Sequence, residues 1–217
     1  MGKTTDIRNA VEAELKFDPL VDDADVHVVN MNGDVAINGT VPSYPQYLEA
    51  AAATQRVAGV KDVHNHLQVV LPDDYFRDDA RLTTAANNAL TQNVTVPDTV
   101  EAAADGGNIT LSGTVAYVTQ RAAAEAAVAG LTGVRNVWDD IDIVYAADQV
   151  DVDLHVQEAL ERSALVPDDS DVKAQTKDGV ITLTGHVHTW AEHDAVVAAA
   201  SMAIGVIDVR DDLQVTG

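Results

Sequence analysis

The sequence predicts an α+β protein of three tandem αββαβ modules, each a three-stranded mixed sheet with two helices on one face. The first observation is a repeated block. Asn32-Gly33-Asp34-Val35-Ala36-Ile37-Asn38-Gly39-Thr40-Val41 recurs as Gly106-Gly107-Asn108-Ile109-Thr110-Leu111-Ser112-Gly113-Thr114-Val115. It recurs again as Asp178-Gly179-Val180-Ile181-Thr182-Leu183-Thr184-Gly185-His186-Val187, at offsets of 74 and then 72 residues. A second block keeps the same register: Gly59-Val60-Lys61-Asp62-Val63, Gly133-Val134-Arg135-Asn136-Val137 and Gly205-Val206-Ile207-Asp208-Val209. Two independent blocks in one register mark an internal repeat. The third observation is alternation: Val35, Ile37, Gly39 and Val41 face one way, Asp34, Ala36, Asn38 and Thr40 the other. A sheet buried on both sides would read as continuous apolar residues, so the helices must share one side and leave the other wet.

The elements follow in order. The first helix of each copy carries apolar residues at a four-residue step: Ile7, Val11, Leu15; Leu82, Ala86, Leu90; Val152, Val156, Leu160. That step makes a single buried stripe. A hairpin turns at Asn32-Gly33, Gly106-Gly107 or Asp178-Gly179, dipeptides that tolerate positive φ. The later copies place Thr110, Ser112 and Thr114, and Thr182, Thr184 and His186, outward. Gly39, Gly113 and Gly185 replace a core residue, which predicts a close approach of the second helix or a local bulge. The second helix opens on a capping box, Ser43 with Gln46 and Thr189 with Glu192, and Pro45 falls in its first turn. Its body is alanine-rich, and Gly59, Gly133 and Gly205 are placed to cap its end. The last strand carries Val63, Leu67 and Val69, then Val137, Ile141 and Ile143, then Val209, Leu213 and Val215. Module boundaries are expected at 5–72, 78–145 and 150–217 with short polar linkers. The structural glycines of the repeat are Gly33, Gly39, Gly107, Gly113, Gly179 and Gly185.

Composition bounds the function. Modules near 70 residues bury only about 60% of their unfolded surface, so neighbours must support one another, within the chain or as a homo-oligomer. Hydrophobic content of 47% supplies real cores, while 4% aromatic residues keep them thin. Without cysteine there is no disulfide, thiolate metal site or cysteine nucleophile. No apolar run reaches the roughly 18 residues that span a bilayer. The chain as it stands is read as cytoplasmic, or periplasmic if a leader has been removed. A net charge of −22, from 27 Asp and 8 Glu against 13 Lys plus Arg, opposes binding to nucleic acid and to anionic lipid. Such a surface suits a saline or osmotically stressed setting, or simply an acidic soluble protein.

The hairpin Gly179-Val180-Ile181-Thr182-Leu183-Thr184-Gly185, the helix opening Trp190-Ala191-Glu192 and the segment from Gly205-Val206-Ile207-Asp208-Val209 to Asp212-Leu213 resemble the BON domain family. The third copy is the most similar, and the second departs most, with Tyr117-Val118 at the helix start. The resemblance covers nearly the whole chain. It implies a non-enzymatic module that associates with phospholipid membranes, envelope components or other proteins, often in stress responses. It implies no fixed ligand residues.

Candidate chemistry is sparse. His64-Asn65-His66 and His186-Val187-His188, with His193, suggest metal ligation, since residues two apart on a strand share a face. The other copies put Trp138 and Arg210 in place of His64, and Thr40 and Thr114 in place of His186, the pattern of variable surface positions. Asp pairs at Asp22-Asp23, Asp73-Asp74, Asp139-Asp140, Asp168-Asp169 and Asp211-Asp212 lack EF-hand spacing. No phosphate-cradling loop, dinucleotide fingerprint or nucleophile elbow occurs, so no enzyme, metal or cofactor is expected. The aromatic residues at the second helix starts, Tyr44, Tyr117 and Trp190, are expected to staple each helix onto its own sheet or to serve as the candidate lipid or partner contacts.

Overall fold

In the computed structural model, the described residues are 3–144, 156, 158–159, 171–177, 179–203 and 206–216. The first module runs α1 (Lys3–Phe17), β1 (Val26–Met31), β2 (Asp34–Val41), α2 (Tyr44–Gln55) and β3 (Asp62–Val69). The second runs α3 (Asp79–Gln92), β4 (Glu101–Asp105), β5 (Asn108–Val115), α4 (Val118–Ala129) and β6 (Asn136–Ile143). The third shows β7 (Lys173–Lys177), β8 (Val180–Val187), α5 (Trp190–Ser201) and β9 (Asp208–Val215). Residues 156 and 158–159 are helical ahead of β7, while Val152, Leu160, Asp168-Asp169, Asp178 and Gly205 lie outside the described residues.

Each sheet has its hairpin's second strand at the centre, antiparallel to the first strand and parallel to the last. A parallel return needs a crossover, and the alanine-rich second helix supplies it. The repeat fixes register as well as topology. Val35 pairs with Val63, Ile109 with Val137 and Ile181 with Val209. The predicted inward set forms three separate cores: Val11, Leu15, Val35 and Ile37; Leu82, Leu90, Ile109 and Leu111; Val156, Ile181, Leu183 and Val196. Arg56 braces α1 to α2 by bonding Glu14 (3.1 Å), Glu49 (2.8 Å) and Asp18 at once.

Two local expectations are corrected. The close approach at Gly39, Gly113 and Gly185 is not to the second helix. A Cβ at Gly39, where φ is +124°, would lie 1.8 Å from the Asp25 carbonyl oxygen, and one at Gly113 2.1 Å from that of Thr99. These glycines let the segment entering the first strand cross the middle one. The capping box forms at Thr189, whose hydroxyl accepts the Glu192 N–H while Glu192 accepts the His188 N–H. It does not form at Ser43, because the Gln46 side chain accepts the Asp22 N–H of the loop before β1 instead.

Candidate binding surfaces and the module junctions

The second helix of each module begins at the next module. Tyr44 opens α2, and its ring packs against the core of the second module. It stacks on Tyr47 at 5.6 Å. Burial, then Tyr47 and Glu125, push its phenol above the ordinary value. Val118, the repeat equivalent of Tyr44, packs in turn against the core of the third module. Trp190, the third equivalent, donates its indole N–H to the Val60 carbonyl of the first module at 3.2 Å. The contacts therefore close on themselves: first onto second, second onto third, third onto first.

One turn further along the helix, a second set of equivalents serves the same junctions. Tyr47, Arg121 and His193 face Asn65, Asp139 and Asp211 of their own last strands. The Asn65 amide donates to the Tyr47 carbonyl (2.8 Å), Arg121 pairs with Asp139 (3.2 Å), and His193 meets Asp211 (2.7 Å). Arg121 also reaches Asp208 of the third module (3.4 Å). The buried His193 ring has Asp194 on its other nitrogen (3.1 Å) and lies edge-on to Trp190, centroids 4.8 Å apart. Sequence reading missed this pair of positions. Its signal was present, since Asn65, Asp139 and Asp211 interrupt the apolar side of the last strand in every copy.

Of the aromatic candidates, Tyr44 packs on the neighbouring module's core rather than its own, while Trp190 packs on its own core and also reaches the first module through its indole N–H. Tyr117 precedes α4 as its N-cap residue and is 43% exposed. The histidines do not converge. His64 and His66 share the open face of the first sheet with rings 6.3 Å apart, His186 bonds Asp171 (2.9 Å), and His188 lies near Glu192. Among the described residues, no group of three or more His, Asp or Glu is placed to hold a metal ion.

The open faces differ sharply in charge. On the first sheet, His27, Val29, Met31, His64 and His66 are exposed. On the second, Glu101, Asp140 and Asp142 share the face with Trp138, which is 59% exposed. At the positions of Glu101, Asp105 and Trp138, the third sheet carries Lys173, Lys177 and Arg210, all exposed. These three cations make no ion pair among the described residues, whereas Arg8, Arg56, Arg81 and Arg121 are all paired.

The BON domain family model matches residues 3–70, 78–145 and 148–217. The chain belongs to the BON domain family. It is 28% identical over 193 residues to osmotically-inducible protein Y of Escherichia coli (strain K12), covering 83% of this chain and 92% of that one. Two solved structures of CdsD, a structural protein of the type III secretion system of Chlamydia trachomatis, are each 16% identical. One match covers 96% of this chain and 91% of that one at a TM-score of 0.25. The other, of the C-terminal domain, covers 98% of each at 0.27. At those scores neither carries an argument about this BON protein. Among the described residues no helix is long and apolar enough to cross a membrane.

Proposed function

We propose that this BON protein is a non-enzymatic, stress-associated binding protein that engages phospholipid or another phosphate-bearing envelope surface through its tandem modules. The observation that carries the reading is the open face of the third sheet, where Lys173, Lys177 and Arg210 stand exposed and, among the described residues, without ion pairs. Asp208 and Asp212 flank them on β9, so the face is a local exception in an acidic chain rather than a strongly basic one. A Lys or Arg near an anionic membrane contributes about 1 kcal/mol, so three give about a hundredfold in affinity. The full net charge of −22 acts from farther off and is screened beyond about 8 Å at 0.15 M salt. Similarity to an osmotically inducible protein supports the stress setting. Tyr117 is the aromatic candidate we retain as a surface contact, because it is exposed.

Co-flotation with phosphatidylglycerol vesicles tests the proposal. The wild type is expected to float at about 0.15 M salt and to release at about 1 M, where the Debye length falls to about 3 Å. Reversing the three cations (K173E, K177E and R210E together) is expected to abolish flotation in a protein with unchanged circular dichroism. Failure of the wild type to float sinks the lipid reading. A second reading, a soluble scaffold that binds protein without lipid, is favoured by the exposed Trp138 on the second open face, since such residues anchor protein interfaces.

A further inference from the structure

We propose that the junction between the third and first modules is exchangeable, and that the Trp190 of one copy docks on the Val60 site of a second copy of this chain. Three observations point there. The first is continuity with an existing interface: the same helix-start position meets the next module at all three junctions, through Tyr44, Val118 and Trp190. The second is connectivity. Two of the junctions join modules that are consecutive in the chain, but the third joins modules with the whole second module between them, so no short linker holds it. The third is packing. Among the described residues, Trp190 borders grooves of about 390, 450 and 220 Å³, whereas Tyr44, half-buried against the neighbouring core, borders one of about 350 Å³.

The largest of these grooves sets Asp34, Lys61 and Asp62 of the first module against His193 and Asp211 of the third. Such polar walls lose little when water enters them. Every copy carries both halves of the contact: the indole N–H with its His193 support, and the Val60 carbonyl beside Lys61. Two opened copies can therefore close on each other with both contacts restored, the arrangement of a domain-swapped dimer. The bonds are the same either way, so the balance is set by effective concentration. Closure within one chain corresponds to about millimolar, and pairing between chains competes as protein concentration approaches that range.

The absence of cysteine makes a disulfide test clean. Gln55 and Ala191 line the same groove from the first and third modules. One full-length chain would carry Gln55→Cys and another Ala191→Cys, and the two would be mixed, concentrated and oxidised. A disulfide-linked heterodimer is expected, with light scattering giving twice the 22.9 kDa of one chain. Chains carrying Gln55→Cys and Ser112→Cys set the rate of random collision, and circular dichroism checks that each variant folds. The double variant Gln55→Cys/Ala191→Cys in one chain separates the remaining outcomes. A bond within that chain, with no heterodimer above the random rate, overturns exchange. Neither bond forming overturns the junction itself.

Discussion

The first-to-second and third-to-first junctions occupy the same positions of the repeat with different side chains. At the first, Tyr44 and Tyr47 stack and the Tyr44 ring packs against the neighbouring core. At the third, Trp190 stays with its own core, reaches the first module through one hydrogen bond, and is supported by His193 between two aspartates. The difference teaches that a repeated interface need not be repeated in strength. Apolar burial holds one junction, and polar contacts around open grooves hold the other, although both open the same helix.

Truncation sharpens this comparison most. Tyr44→Ala removes an aromatic ring that stacks on Tyr47 and packs against the neighbouring core, and a cost of about 2–4 kcal/mol is expected after discounting for partial exposure. Trp190→Ala is expected to cost about 1–2 kcal/mol, chiefly from packing within the third module. Urea unfolding of the full chain measures both. The reverse order would show that Trp190 contributes more to stability than Tyr44, against the ranking of the two contacts.

How much of this was legible in sequence depends on the scale of the interaction. The hairpins, the parallel return strand and the inward residues Val35, Ile109 and Ile181 followed from period and turn chemistry, which are local. Tyr44 and Trp190 were legible as conspicuous, but their destination was not, because a contact between modules leaves no period in the chain. Gly39 shows the intermediate case. Its need for no side chain was readable, but the atom that demands it, the Asp25 carbonyl, comes from the strand entry rather than the helix. Gln46 was read as a cap partner because the pattern is local, and the structure gives it to a loop N–H from residue Asp22.

The second-to-third junction lies between the two in kind, with Val118 against a core and Arg121 bridging Asp139 and Asp208. The Asp208 carboxylate is 55% exposed and 3.4 Å away, so solvent screens the cross-module pair. A double-mutant cycle with Arg121→Gln and Asp208→Asn should give a coupling of about 0.3–1 kcal/mol that shrinks at high salt. A coupling that persists in about 1 M salt would mark this pair as desolvated and place the junction beside that of Tyr44.

The smallest effect tests the apolar junction from the charged side. Partial burial, and then the nearby Asp139 carboxylate, raise the Glu125 carboxyl above its ordinary value of 4.5, with Arg121 opposing. A raised value in the folded state means that the native protein binds this proton more readily than the unfolded chain. The resulting stability is full below pH 4.5 and is lost as pH rises through the folded value. At neutral pH the ionised carboxylate is therefore a small burden beside Tyr44. Glu125→Gln should raise stability by about 0.2–0.5 kcal/mol at pH 7 and by nothing once Glu125 is protonated, because the two side chains are then both neutral. Thermal melts of the two proteins at pH 7 and pH 4 decide it. A gain of equal size at both values would mean that the substitution acts through helix propensity rather than through the charge at the junction.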